Sequence, residues 1–165
     1  RRFGFANLLN FDEKAFNQIH QELEARCKPI TALPIYGSDL YGEALDDAKA
    51  NLQAAGLSDA VQLKQANVLE ISPPTESGVM VMNPPYGVRL GEQRDLEEFY
   101  PKLGDVLKQK FAGWNAYILT ADMRLPKLIH LAASKRTPLF NGKLECRLFE
   151  YKMIAGSRRK PEAVA

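Results

Sequence analysis

The chain has 165 residues, 45% hydrophobic and 25% charged, which suffices for one globular domain with a core of its own. Its formal net charge of +2 does not mark a nucleic-acid binder, so any grip on a polyanion must come from clustered basic side chains or another domain. Cys27 and Cys146 lack metal-ligand spacing and read as reduced thiols of a cytoplasmic protein; no apolar run approaches the ~20 residues of a membrane span, and no signal-peptide core follows Arg1-Arg2.

The first element is a helix over Glu13 to Cys27, with Ala15, Phe16, Ile19 and Leu23 at helical spacing, Asp12 as N-cap and Pro29 as terminator. Residues 33–38 read as a short strand with Asp39 at its C-terminal end. Glu43 to Ala55 reads as a helix closed by Gly56, and Val61 to Ala66 as a second strand. Gly78 to Met82 is apolar throughout, which predicts a strand buried on both faces. Asp95 to Phe111 is the longest helical pattern, interrupted by Pro101, which predicts a kink or a late start.

Ala116 to Thr120 is a fourth strand, and Leu125 to Ala133 a helix with Pro126 in its first turn. Lys135 to Phe140 and Leu144 to Ile154 are two strands joined at Asn141-Gly142, a hairpin signal. Residues 157–165 carry no apolar anchor and read as a disordered tail. Strand and helix alternate up to the closing hairpin. That pattern predicts an α/β fold: a mostly parallel sheet with helices on both faces and an antiparallel C-terminal hairpin.

Ligands of such sheets bind beyond the carboxyl ends of the strands. Asn83-Pro84-Pro85-Tyr86 follows the strand at Gly78 to Met82 and sits at such an end. The amine of a planar base is a poor nucleophile, because its lone pair is delocalised into the ring. The Asn83 side-chain oxygen and the Pro84 carbonyl can accept its two N–H bonds and favour a pyramidal nitrogen. Pro84 and Pro85 preset the backbone direction, and Tyr86 offers a face for stacking. Asp39, at another strand end, has two readings: acceptor for both hydroxyls of a ribose, or N-cap of the helix that follows. Leu40 can cover an adenine face. Asn67 can pair with an adenine edge or be a plain loop residue. Arg89 and Arg94 can meet phosphates or simply be solvated. His20 and His130 have no partner at ligand spacing, and no metal site is expected.

Tyr36-Gly37-Ser38-Asp39, Ala48-Lys49-Ala50-Asn51, Ala54-Ala55-Gly56 and Asn83-Pro84-Pro85-Tyr86-Gly87 together resemble the catalytic domain of the bacterial guanine-N2 methyltransferases of 23S ribosomal RNA, K/L type. Arg2 to Phe5 and Phe111 to Asn115 extend the resemblance over nearly all of residues 1–155. It implies a Rossmann-like class I methyltransferase fold over 1–155, with S-adenosyl-L-methionine as methyl donor. It implies Asp39 on the cofactor's ribose, Asn67 and Val68 near its adenine, and Asn83 to Tyr86 on the target guanine. The family usually has Asp where this chain has Asn67. It also implies 23S ribosomal RNA as partner and an RNA-binding THUMP domain preceding the catalytic one.

One departure stands out. The family opens this domain with a glycine-rich loop after its first strand, and no such segment occurs here. In the family's strand order, 3-2-1-4-5-7-6, that strand is central. The expectation is a portion of a longer polypeptide lacking that strand and loop, inactive by itself. The Asn-Pro-Pro-Tyr motif alone also suits an adenine-N6 DNA methyltransferase or a glutamine-N5 methyltransferase. The missing loop suits a non-catalytic methyltransferase-like binding module.

Overall fold

The computed structural model describes residues 3–28, 34–84 and 92–154, the last stretch without the side chains of 92–94. The expectations for Pro29, Pro85, Tyr86, Arg89 and the tail lie outside these residues. The chain divides into two compact units, with boundaries at Gly37/Ser38, Tyr41/Gly42 and Lys64/Gln65.

The first unit holds a 3-10 turn at Gly4–Asn7, helix α1 (Glu13–Ala25), helix α2 (Gly42–Ala54) and most of strands β1 (Ile35–Asp39) and β2 (Val61–Gln65). Asp12 caps α1 as expected, its Oδ1 accepting from the Ala15 N–H at 2.9 Å. No residue of α1 is buried. Its Phe16 instead joins Phe5 and Phe11 in a ring cluster with centroids 5.7–5.9 Å apart. Gly56 takes φ +68°, the left-handed turn that glycine allows beyond a helix end.

The second unit is built on a four-stranded sheet, order β3-β4-β6-β5, from β3 (Gly78–Met82), β4 (Trp114–Thr120), β5 (Lys135–Asn141) and β6 (Leu144–Lys152). β3 and β4 are parallel; β4–β6 and β5–β6 are antiparallel. The hairpin is therefore present, with its second strand inside and its first at the edge. Gly142 takes φ +63° in the turn. β1 and β2 form a separate two-stranded sheet. The family order without its strand 1 consists of these same two strand sets.

Helix α3 (Glu92–Lys110) buries Leu96, Tyr100, Leu103 and Leu107, a repeat of three and four residues that makes one apolar stripe. They pack with Phe111, Ala116, Ile118, Leu125, Ile129, Phe149 and Tyr151. Pro101 lies well inside this helix, which starts earlier than expected. Its missing N–H costs one helical bond, and the fully buried neighbours Tyr100 and Leu103 offset that by packing. Helix α4 (Leu125–Leu128) is shorter than expected, because His130 turns left-handed at φ +54° and stops it.

One expectation fails. β3 is not buried on both faces: Val79 is 62% and Val81 72% exposed. Met80 and Met82 face the core, and the opposite face lacks a cover among the described residues. Also among the described residues, no helix is long and apolar enough to cross a membrane.

Candidate functional site

The polar residues singled out by sequence stand at strand carboxyl ends. Asp39 ends β1, Asn67 follows β2 by one residue, and Asn83 follows β3 directly. The tips of β1 and β2 are tied together. The Ala66 N–H donates to the Asp39 carbonyl at 3.0 Å, and Gln65 Nε2 donates to the Leu40 carbonyl at 3.0 Å. These two bonds bring Asp39, Leu40 and the Asn67 turn into one neighbourhood. Gln65 was not singled out in the sequence; only its cross-strand bond reveals its part.

Asp39 is exposed, and its Oδ1 accepts the Tyr41 N–H at 2.8 Å just before α2. This is an Asx turn ahead of the helix rather than its expected N-cap, and it holds one oxygen. Among the described residues Oδ2 has no hydrogen bond and stays open to a ligand. Leu40 is 52% exposed, so its apolar side chain is available as a cover. Asn67 is half-buried; its Oδ1 accepts the Leu69 N–H at 3.0 Å, and its Nδ2 makes a long 3.4 Å contact to Glu70. A carboxamide oxygen has a second lone pair, and the Glu70 contact is weak enough to exchange. Val68 is half-buried and packs against the core, so it contributes shape rather than polarity.

Asn83 is exposed and Pro84 half-buried at the end of β3. Met82 pairs with Ile118, which places Asn83 at the level of the last residues of β4. That strand end is also polar. Thr120 is fully buried; its Oγ1 accepts the Asp122 N–H at 3.0 Å and lies 3.4 Å from the Tyr100 hydroxyl. Asp122 binds Arg124 through both oxygens, Oδ1 to Nε at 3.0 Å and Oδ2 to Nη2 at 2.9 Å. Arg124 Nη1 reaches Glu97 of α3 at 2.7 Å. Burial pushes the Asp122 carboxyl up, but the hydrogen bonds and charge of Arg124 outweigh it and hold it below the usual carboxylate value. This knot fixes the loop after β4. Polar Thr120 and Asp122 at a strand end were the available signal, of the same kind as Asp39 and Asn83.

The residues can hold a nucleoside cofactor in part: an acceptor for ribose at Asp39 and an apolar cover at Leu40, with a carboxamide at Asn67. Asn83 and Pro84 add two acceptors on an open rim.

The family model UPF0020, RMKL-like, methyltransferase domain, matches residues 4–150. The ribosomal RNA large subunit methyltransferase K/L of Shewanella loihica is 37% identical over 163 residues, 97% of this chain and 23% of that protein. The chain thus spans under a quarter of the length of such relatives. Among solved structures, SMU.472, described as a methyltransferase complexed with SAH, superposes with a TM-score of 0.81 at 27% identity, covering 95% of this chain and 41% of its own. A Listeria monocytogenes protein described as an N6-adenine-specific DNA methylase gives 0.74 at 28% identity, covering 86% and 36%. With nearly the whole chain matched, it belongs to the RMKL-like methyltransferase domain family.

Proposed function

We propose that this chain is the catalytic part of an S-adenosylmethionine-dependent methyltransferase acting on the N2 amine of guanine in 23S ribosomal RNA. The observation that carries the reading is Asn83-Pro84 on an exposed strand end in a chain of this family. The K/L name of the relatives supports the ribosomal RNA, and the SAH bound to SMU.472 supports the cofactor.

Asp39 Oδ2 would accept from the cofactor's ribose while Oδ1 keeps its bond to Tyr41. Leu40 would cover the adenine and Asn67 meet its edge. The cofactor, when bound, supplies an electrophilic methyl group. Asn83 Oδ1 and the Pro84 carbonyl accept the two N–H bonds of the guanine amine and turn its lone pair out of the ring. Tyr86 stacks on the base and Arg89 meets a neighbouring phosphate. No base is needed beforehand, because the methylated ammonium sheds its proton afterwards. A THUMP domain elsewhere in the polypeptide would supply most of the RNA grip, and a ribosomal RNA substrate places the protein in the cytoplasm.

The test is a methyl-transfer assay with the full-length natural protein, followed by nucleoside analysis. N2-methylguanosine in 23S RNA is expected. A second reading, N6-adenine methylation of DNA, draws on the Listeria neighbour. Methyl label found only in DNA adenine would decide for it.

A further inference from the structure

A hollow of about 190 Å³ opens among Met123, Pro126, Arg136, Arg147 and Phe149. It is far larger than the roughly 10–15 Å³ that one water needs. Its place follows from strand register. Thr120, the last residue of β4, pairs with Arg147 on β6. Arg136 on β5 pairs with Phe149, two residues along β6 from Arg147. Alternation puts Arg136, Phe149 and Arg147 on one face of the sheet. The hollow thus lies beside the carboxyl end of β4, the same end of the sheet that carries Asn83. Two strand spacings, about 10 Å, separate the lines of β3 and β6.

Two guanidinium groups on one face repel, and the contacts around them offset that repulsion only in part. Arg147 Nη2 meets Glu145 at 2.9 Å, an exposed pair. Arg136 has no ion-pair partner among the described residues. The Arg147 Nε–H is buried with no hydrogen-bond acceptor among them. A buried N–H left unmatched is costly, so the fold leaves the Arg147 guanidinium incompletely paired. Arg124, though next in sequence to Met123, is not available, because Asp122 and Glu97 occupy its guanidinium. The apolar walls, Phe149, Pro126 and Met123, strengthen attraction to a negative group inside.

We propose that Arg136 and Arg147 bind a phosphodiester of the nucleic-acid strand that presents the target base, a role that rests on the functional reading above. The exposed parts of the Arg147 and Arg136 side chains meet the phosphate oxygens, and Arg136 supplies a charge that no ion pair holds among the described residues. The hollow positions the strand; it takes no part in the transfer itself.

The experiment measures binding of 23S RNA to the full-length natural protein over a series of salt concentrations. Arg136→Gln and Arg147→Gln are each expected to raise the RNA Kd severalfold. Each is also expected to reduce the slope of log K against log salt by about 0.7–0.9 per lost phosphate contact. KM for RNA should rise with kcat at saturating RNA preserved, and S-adenosylmethionine affinity unchanged. Arg136→Lys should restore much of the salt slope. Lys108→Gln, on α3 and paired with Asp105, should leave it unaltered. A folded Arg136→Gln protein with the wild-type slope overturns the proposal, and this variant decides if Arg147→Gln does not fold. Wild-type protein that transfers no methyl to ribosomal RNA defeats the functional reading and this site with it. Active wild type with unchanged variants defeats the site alone.

Discussion

Gly104 sits in the middle of α3, where substitution by alanine should follow one of two opposed rules. Helix propensity alone makes Gly104→Ala stabilising by about 0.8–1.0 kcal/mol. Sterics predict the reverse. A Cβ at Gly104 would overlap the carbonyl oxygen of Ile129, with the Ile129 side chain also within 3.2 Å. The Ile129 carbonyl is backbone, so it cannot rotate away. Relief requires α4 and its C-terminal residue to move off α3. Leu125 and Ile129 are fully buried there, and burying one such side chain is worth about 1.5–3 kcal/mol. Partial exposure of both, or overpacking at about 1–3 kcal/mol, outweighs the propensity gain. We expect a net loss of about 2 kcal/mol, seen as a lower urea midpoint with unchanged slope in the full-length protein. Gly4→Ala is the control, because its Cβ meets nothing within 4 Å. A Gly104→Ala protein as stable as wild type, or more so, would refute the close approach of α3 and α4.

Asn83→Ala should lower kcat by about 10²–10³ with little change in S-adenosylmethionine affinity, since it removes an acceptor needed in the transition state; isothermal calorimetry and steady-state rates separate the two. Asp39→Asn should keep the turn bond to Tyr41 and the fold yet weaken cofactor binding, whereas unaltered binding would reduce Asp39 to a turn residue. Tyr151→Phe removes a buried hydroxyl with no hydrogen-bond partner among the described residues and should be neutral or stabilising by up to about 1 kcal/mol in denaturation. Asp122→Asn tests a pH dependence. The folded carboxyl titrates below its unfolded value, so its contribution is present above about pH 4 and lost as pH falls through the folded value. The stability gap between wild type and Asp122→Asn should therefore be full at neutral pH and close in acid.

Local signals in the sequence carried most of the elements. The Asp12 cap, Gly56 and the Asn141-Gly142 turn act over a few residues, and each is where its residue type placed it. Contacts distant in sequence were not legible. The apolar run at Gly78 to Met82 shows that the strand is apolar, not whether a helix covers each face, and Val79 and Val81 remain exposed. Pro101 argued for a kink or a late start, whereas the four buried residues that sustain α3 through it take their value from distant partners in β4 and β6. The strand-end positions of Asn83 and Asp39 were legible because a polar residue ending an apolar strand has a local meaning. Arg124, Arg136 and Arg147 were not, since their pairing with Asp122 and Glu97, or their lack of pairing, depends on three-dimensional neighbours.

Polar groups at the strand ends differ in how much of their capacity the fold already uses. Asp122 has both oxygens on Arg124, is nearly buried and has its charge matched, so it serves the loop. Asn67 gives its oxygen to Leu69 but retains a lone pair and a loosely held NH2. Asp39 gives one oxygen and keeps the other, exposed. The same residue type thus means architecture after β4 and ligand capacity after β1. A fold that spends some strand-end groups to fix its loops makes the others rigid acceptors, because a donor already held at 2.8 Å by one carboxylate oxygen sets the direction of the second. The turn bond to Tyr41 and an open acceptor are therefore compatible at Asp39: Oδ1 holds the N–H, and Oδ2 has no hydrogen bond among the described residues.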